Sequence, residues 1–205
     1  MEFAQWLSLF SICLLGAMSP GPSLAVVLNA ALRGGRGHGI AAGLAHGAGV
    51  GLYGLLTVTG LAVLVTRSPA LLVMLQLAGA AYLVYLGLRS LRSQGAMPLD
   101  ASGHQHSRRG ATVNGFLVAF LNPKLAVFML ALFAQFVAPE TSAVQKGIMV
   151  LTVGITDAAW YCLMAVLVSH GAFVAKLQRS AVTIDRIFGV ILILLAAVVT
   201  LRALA

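Results

Sequence analysis

The stretch Leu14-Leu15-Gly16-Ala17-Met18-Ser19-Pro20-Gly21-Pro22-Ser23-Leu24-Ala25-Val26-Val27-Leu28 reads as a membrane-crossing helix interrupted at its middle by Ser-Pro-Gly-Pro. About a hundred residues later a second apolar run is interrupted by Asn122-Pro123-Lys124. Proline removes a backbone donor and clashes with the preceding turn, so both runs must bend or unwind there. In lipid the backbone groups freed by such a break are tolerable only where they face protein or a wet cavity. Two spans broken at corresponding places therefore point to a pathway through the molecule.

Composition identifies the solvent. Of 205 residues, 60% are hydrophobic and 9% charged, against roughly 25% charged in a soluble domain. The chain is an all-α integral membrane protein, long enough for one domain of several spans. Its net charge of +8 would suggest nucleic acid in a soluble protein. Here the basic residues fall between apolar runs and act as topology signals, which excludes a phosphate-binding patch. Cys13 and Cys162 both lie in apolar runs and supply neither a disulfide framework nor a metal-ligand spacing. Glu2 is the only charge before Arg33, so the basic flank of a cleaved signal peptide is missing and the first apolar segment is expected to stay.

With about 20 apolar residues per span as the ruler, helices are expected near 5–31, 39–66, 69–89, 112–134, 147–171 and 184–204. Arg33 to Gly37 makes a tight basic turn, Ser68-Pro69 restarts a helix, and Pro139-Glu140 marks another turn. The one linker, about 93–110, separates repeat one (about 1–92) from repeat two (about 111–205) within a single transmembrane domain. One side collects nine basic residues, Arg33, Arg36, Arg89, Arg92, Arg108, Arg109, Lys176, Arg179 and Arg186; the other has three, Arg67, Lys146 and Arg202. The positive-inside rule then puts the linker in the cytoplasm and both termini outside the bacterial inner membrane.

The halves are alike in sequence. Pro22-Ser23-Leu24-Ala25-Val26-Val27-Leu28 aligns with Pro123-Lys124-Leu125-Ala126-Val127-Phe128-Met129 at an offset of 101. An odd number of spans per half makes the repeat inverted, and inverted repeats with interrupted helices are a pointer to a secondary transporter with a midplane site. The expected fold is six transmembrane helices as two inverted three-helix repeats, with the first and fourth helices broken.

Ser19-Pro20-Gly21-Pro22, the Gly79-Ala80-Ala81-Tyr82-Leu83 and Leu86-Gly87 pattern, Asn122-Pro123-Lys124, Ala131-Leu132-Phe133-Ala134-Gln135-Phe136, Asp157 with Trp160-Tyr161, and Arg186-Ile187-Phe188-Gly189 together resemble the LysE/RhtB family of amino-acid exporters. The resemblance covers essentially the whole chain. It implies expulsion of amino acids or related metabolites across the inner membrane, driven by an ion gradient, with no cofactor and no enzymatic step. Two positions depart from the family pattern: Gln76 stands where many members have Lys, and Ala134 where Pro is common.

The candidate site residues follow from cost and placement. Ser19, Pro20, Gly21 and Pro22 at the first break, with Asn122 and Pro123 at the second, expose half-helix N-termini whose amides and dipole suit a carboxylate. Asp157 lies near the middle of the fifth span, where an acid costs on the order of 2.5–3.5 kcal/mol to insert. It would bind a proton, the substrate ammonium, or each in turn, or else pair with Lys124 or His46. Lys124 would attract a carboxylate, or extend to the interface. His46, among Gly43, Gly47, Gly49 and Gly51, would relay protons or simply pack. Trp160, three residues from Asp157, would wall the cavity. His104 and His106 provide two ligands, too few for a closed metal site, in a solvated loop.

Proton antiport is the expected coupling. With Asp157 taken as the only acid deep in a span, and Asp185 assigned to a loop, a neutral zwitterionic substrate is favoured over a basic one. The alternatives are a membrane thiol-redox relay, which needs reactive cysteines at the broken helices, and a metal or ion exporter, which needs clustered carboxylates.

Overall fold

In the computed structural model, residues 1–95, 107–138, 140–168 and 171–204 are described; Pro139 and the His104/His106 pair lie outside them. The described residues form eight helices and no strand: α1 (Phe3–Met18), α2 (Pro22–Gly34), α3 (Arg36–Arg67), α4 (Pro69–Leu91), α5 (Arg108–Phe120), α6 (Pro123–Phe133), α7 (Ala143–Leu167) and α8 (Gly171–Leu204). Of these, α3, α4, α7 and α8 each contain a stretch long and apolar enough to cross a membrane. The pairs α1–α2 and α5–α6 qualify when joined, bent by 62° and 53°, so the molecule has four to six candidate spans.

Both bends have one local cause. A residue before proline is pushed out of helical geometry, and Asn122 is extended at φ −80°, ψ 108° before Pro123. Ser19 before Pro20 is extended at φ −60°, ψ 121°. Each prolyl ring then starts a new helix, since Pro22 and Pro123 occupy a first-turn position where no amide is missed. Elsewhere the sequence supplies ordinary stops and starts. Gly35, at φ 81°, ends α2 in a conformation glycine tolerates best. Ser142 and Gln145 form a reciprocal capping box at α7.

Close helix crossings are made by glycines. A Cβ on Gly47 of α3 would lie 2.5 Å from the Ala158 Cβ and 2.8 Å from the Gly154 carbonyl oxygen of α7. At the crossing of α4 with α8, a Cβ on Gly87 would lie 2.8 Å from the Gly189 oxygen, and one on Gly189 2.7 Å from the Gly87 oxygen. These backbones touch because neither partner carries a side chain at the crossing. Buried apolar side chains such as Leu9, Leu83, Phe133, Met149 and Leu192 fill the main core. Leu55, Leu56, Leu151, Ile155, Leu163, Leu194 and Leu201 point outward and are exposed. That outward apolar face is the surface a bilayer would cover.

One boundary moves far from its sequence expectation. The last helix begins at Gly171, well before 184, and Asp185 lies inside it. Leu177, Ala181, Asp185, Phe188 and Leu192 are all buried, one stripe at helical spacing. Asp185 is therefore no loop residue but a buried acid. The hydropathy ruler missed the first turns of α8 because Lys176 and Arg179 interrupt their apolar pattern. The linker is likewise shorter than expected, since Ser107 caps α5 through the Gly110 amide.

Candidate functional site

Glycine packing brings the central pair together. A Cβ on Gly43 would lie 3.2 Å from the Tyr161 Cβ and backbone, so α3 can press its His46 directly against α7. There His46 Nδ1 and Asp157 Oδ2 are 2.6 Å apart, both residues buried. The carboxylate is acceptor-only when ionised, so the contact selects the tautomer with the proton on Nδ1. Of the two partners expected from sequence, Asp157 takes His46. The other ring nitrogen, His46 Nε2, is buried and has no hydrogen-bond partner among the described residues. Tyr161 sets its ring edge-on to His46, with centroids 4.6 Å apart, and lines the same cavity as Ser23 at the start of α2.

These groups line one cavity. Its walls include Ser19, Gly21, Pro22 and Ser23 from the first break, Asn122 and Lys124 from the second, and His46, Asp157 and Tyr161 between them. Cys13, Val50, Phe128, Met129, Val153 and Phe188 complete it with apolar surface. The empty space, counted with its open mouth, is about 680 Å³. A wider cleft of about 2130 Å³ adjoins it and shares Gly21, Pro22, Asn122 and Lys124. Pro20 and Pro123 line that cleft, together with Arg89 and Arg92 of the α4 end and Leu117 and Leu121 of the α5 end.

Lys124 does not meet Asp157. Its Nζ stands 5.1 Å from the centre of the Phe188 ring, a cation–π arrangement, and its electrostatic counterpart is Asp185. Asp185 also accepts from Ser19 Oγ at 3.3 Å and from Ser93 Oγ. The acid that sequence reading assigned to a loop thus ties the first break to the end of α4.

Nine of the ten sequence candidates line the cavity or the cleft: Ser19, Pro20, Gly21, Pro22, His46, Asn122, Pro123, Lys124 and Asp157. Trp160 lines neither; it packs against the smaller apolar cluster with its indole N–H buried and without a partner. Its neighbour Tyr161 takes the wall position. The signal was available, because residue i+4 shares the Asp157 face as well as i+3 does. Ser23 and Tyr161 line the cavity and Asp185 the cleft, and sequence reading did not name them as candidates. The two positions that depart from the family pattern meet each other: the Gln76 side-chain amide donates to the Ala134 carbonyl at 3.0 Å. Both cysteines are free. Cys13 faces the cavity, while Cys162 turns its thiol toward the Ile40 carbonyl.

A multi-pass helical membrane protein with broken helices around a cavity that combines a few buried polar groups with apolar walls is the class these features define. The chain belongs to the LysE type translocator family, whose model matches residues 14–202. It is similar to the homoserine/homoserine lactone efflux proteins of Salmonella typhi (30% identical over 199 residues, 96% of each chain) and of Salmonella typhimurium strain LT2 (28% over 198 residues, 96% of each). The leucine efflux protein of Klebsiella pneumoniae is 29% identical over 168 residues, 78% of this chain and 76% of its own. No solved structure matches the chain.

Proposed function

We propose that this protein is a secondary transporter that exports neutral amino acids or close derivatives from the cytoplasm in exchange for protons. The observation that carries the reading is the cavity joining both helix breaks to the buried His46–Asp157 pair. Family membership and the efflux names of the relatives supply the direction and the substrate class.

The architecture is two inverted three-helix repeats, α1/α2 with α3 and α4, and α5/α6 with α7 and α8. Support comes from the two similar bends and from the glycine crossings that join α3 to α7 and α4 to α8. In such a repeat the pair α1 and α8 corresponds to α5 and α4. α1 and α8 touch, whereas a cleft opens between the ends of α4 and α5 on the side of Arg89 and Arg92. With the basic side cytoplasmic, this is a cytoplasm-open state of an alternating-access cycle, in a six-span protein with both termini outside the inner membrane.

Coupling arises from competition at His46. With Nδ1–H donated to Asp157, neutral His46 presents an Nε2 lone pair that accepts from a substrate ammonium. A proton on Nε2 turns the acceptor into a donor and adds positive charge, which repels that ammonium. Tyr161 from α7, Cys13 from α1 and Lys124 from α6 are the other titratable groups facing this space. Proton and substrate then leave and enter alternately, which is antiport.

The argument for a neutral substrate changes its basis. Two buried acids are present among the described residues, but Asp157 is paired with His46, and Asp185 accepts from Ser19 and Ser93 and lies in the field of Lys124. A basic substrate would meet the Lys124 cation inside the cavity with no free acid left to offset it. Competition in everted vesicles tests this: threonine, homoserine and leucine should outcompete lysine and arginine, and collapsing the proton gradient should stop accumulation. Preferential transport of lysine or arginine would overturn the substrate reading, and uptake that ignores the proton gradient would overturn the coupling.

A further inference from the structure

We infer that the two helix breaks have different jobs: the first binds the substrate's carboxylate on the free amides of α2, and the second is a self-capped structural joint. The inference rests on the exporter reading above and adds to it the group that each break holds.

At α6 the first-turn donors are already used. Asn122 Oδ1 accepts from the Lys124 amide at 3.0 Å and from the Leu125 amide at 3.4 Å. At α2 the same position is Gly21, which has no side chain to offer, and the helix start carries no side-chain cap. The Ser23 and Leu24 amides therefore lack a side-chain cap at the positive end of a 13-residue helix, and of the two residues Ser23 lines the cavity while Leu24 is fully buried.

Gly21 itself points to a ligand. Its backbone is extended, φ −176° and ψ −174°, a conformation open to any residue. A Cβ there would meet nothing within 4 Å, so no neighbour requires glycine. The space that a side chain would enter belongs to the cavity, and a glycine keeps the amides approachable from it.

A second, independent group faces the same space. His46 lines the cavity with Gly21 and Ser23; it is 2% exposed, and its buried Nε2 is without a hydrogen-bond partner among the described residues. An acceptor calls for a donor, and an ammonium supplies one. Ser23 lines the same cavity as Tyr161, whose ring abuts His46, so the anion-binding and ammonium-binding ends are neighbours. A ligand anionic at one end and donating at the other is an α-amino-acid head group. Its side chain would then face Val50, Phe128, Met129 and Val153.

The test measures binding to purified full-length protein in nanodiscs by calorimetry, comparing L-leucine and L-homoserine with leucinamide and homoserinamide, which keep the ammonium but lose the carboxylate. The wild type should favour each acid over its amide by about tenfold or more, as expected of charge-assisted hydrogen bonds. Gly21→Asp and Gly21→Asn place an acceptor where Asn122 stands at α6, and should reduce that ratio to near one. Gly21→Ala and Asn122→Ala add no acceptor at α2, and the ratio should persist in both. A ratio that survives both Gly21→Asp and Gly21→Asn, or that disappears in Asn122→Ala, overturns the assignment. Equal binding of acid and amide by wild-type protein that still exports amino acids overturns this assignment alone. Failure to bind or export either acid overturns the exporter reading with it.

Discussion

The breaks at Ser19–Pro22 and Leu121–Pro123 start from similar sequence and reach different chemistry. Each has a proline that forces the preceding residue out of the helix, and each restarts a helix with proline in its first turn. At the second break, Asn122 spends its carbonyl on its own helix. At the first, Gly21 leaves the helix start open, while Ser19 is tied to Asp185 of α8. Two breaks of similar sequence thus share a bend and differ in their caps: one is capped by its own asparagine, and the other carries no side-chain cap.

The largest expected effect lies opposite the open break. Asp157→Asn keeps the size of the side chain but removes the charge that holds the His46 tautomer. Export against a gradient should fall by about tenfold or more, on the scale of a lost charged hydrogen bond, with protein still in the membrane. Downhill exchange should survive. Transport assays in reconstituted vesicles with and without a proton gradient decide it, and undiminished uphill export would leave Asp157 a packing residue.

Next comes a contrast between glycines. Gly47→Leu drives a side chain into Ala158 and the Gly154 carbonyl, and should cost about 1–3 kcal/mol or more through overpacking. Gly21→Leu enters open space, so it should leave thermal stability nearly unchanged while blocking export. Equal loss of stability in the two variants would erase the distinction between a packing glycine and a site glycine.

The smallest effect belongs to the closed break. Asn122→Ala removes a helix cap and should lower stability by about 0.5–2 kcal/mol, read as a lower thermal midpoint in detergent, with export per folded molecule reduced far less than by Gly21→Leu. The reverse ranking would move the ligand to the second break.

Much of this was already legible in the chain. Low charge and long apolar runs fixed a helical membrane protein, because no other arrangement lets such a sequence satisfy its backbone in lipid. The prolines located both bends, since their steric effect is local and needs no tertiary context. The cost of an intramembrane acid singled out Asp157 on the same grounds. Choosing among its partners was beyond the sequence: His46 lies 111 residues away and reaches Asp157 only because Gly43 and Gly47 let α3 and α7 close together. Asp185 was misread because hydropathy averages over a window, whereas burial follows one stripe of a helix. The unequal capping of the two breaks, and the cavity on which the first of them opens, were decided by tertiary structure, because both depend on which elements the folded chain brings to the same point.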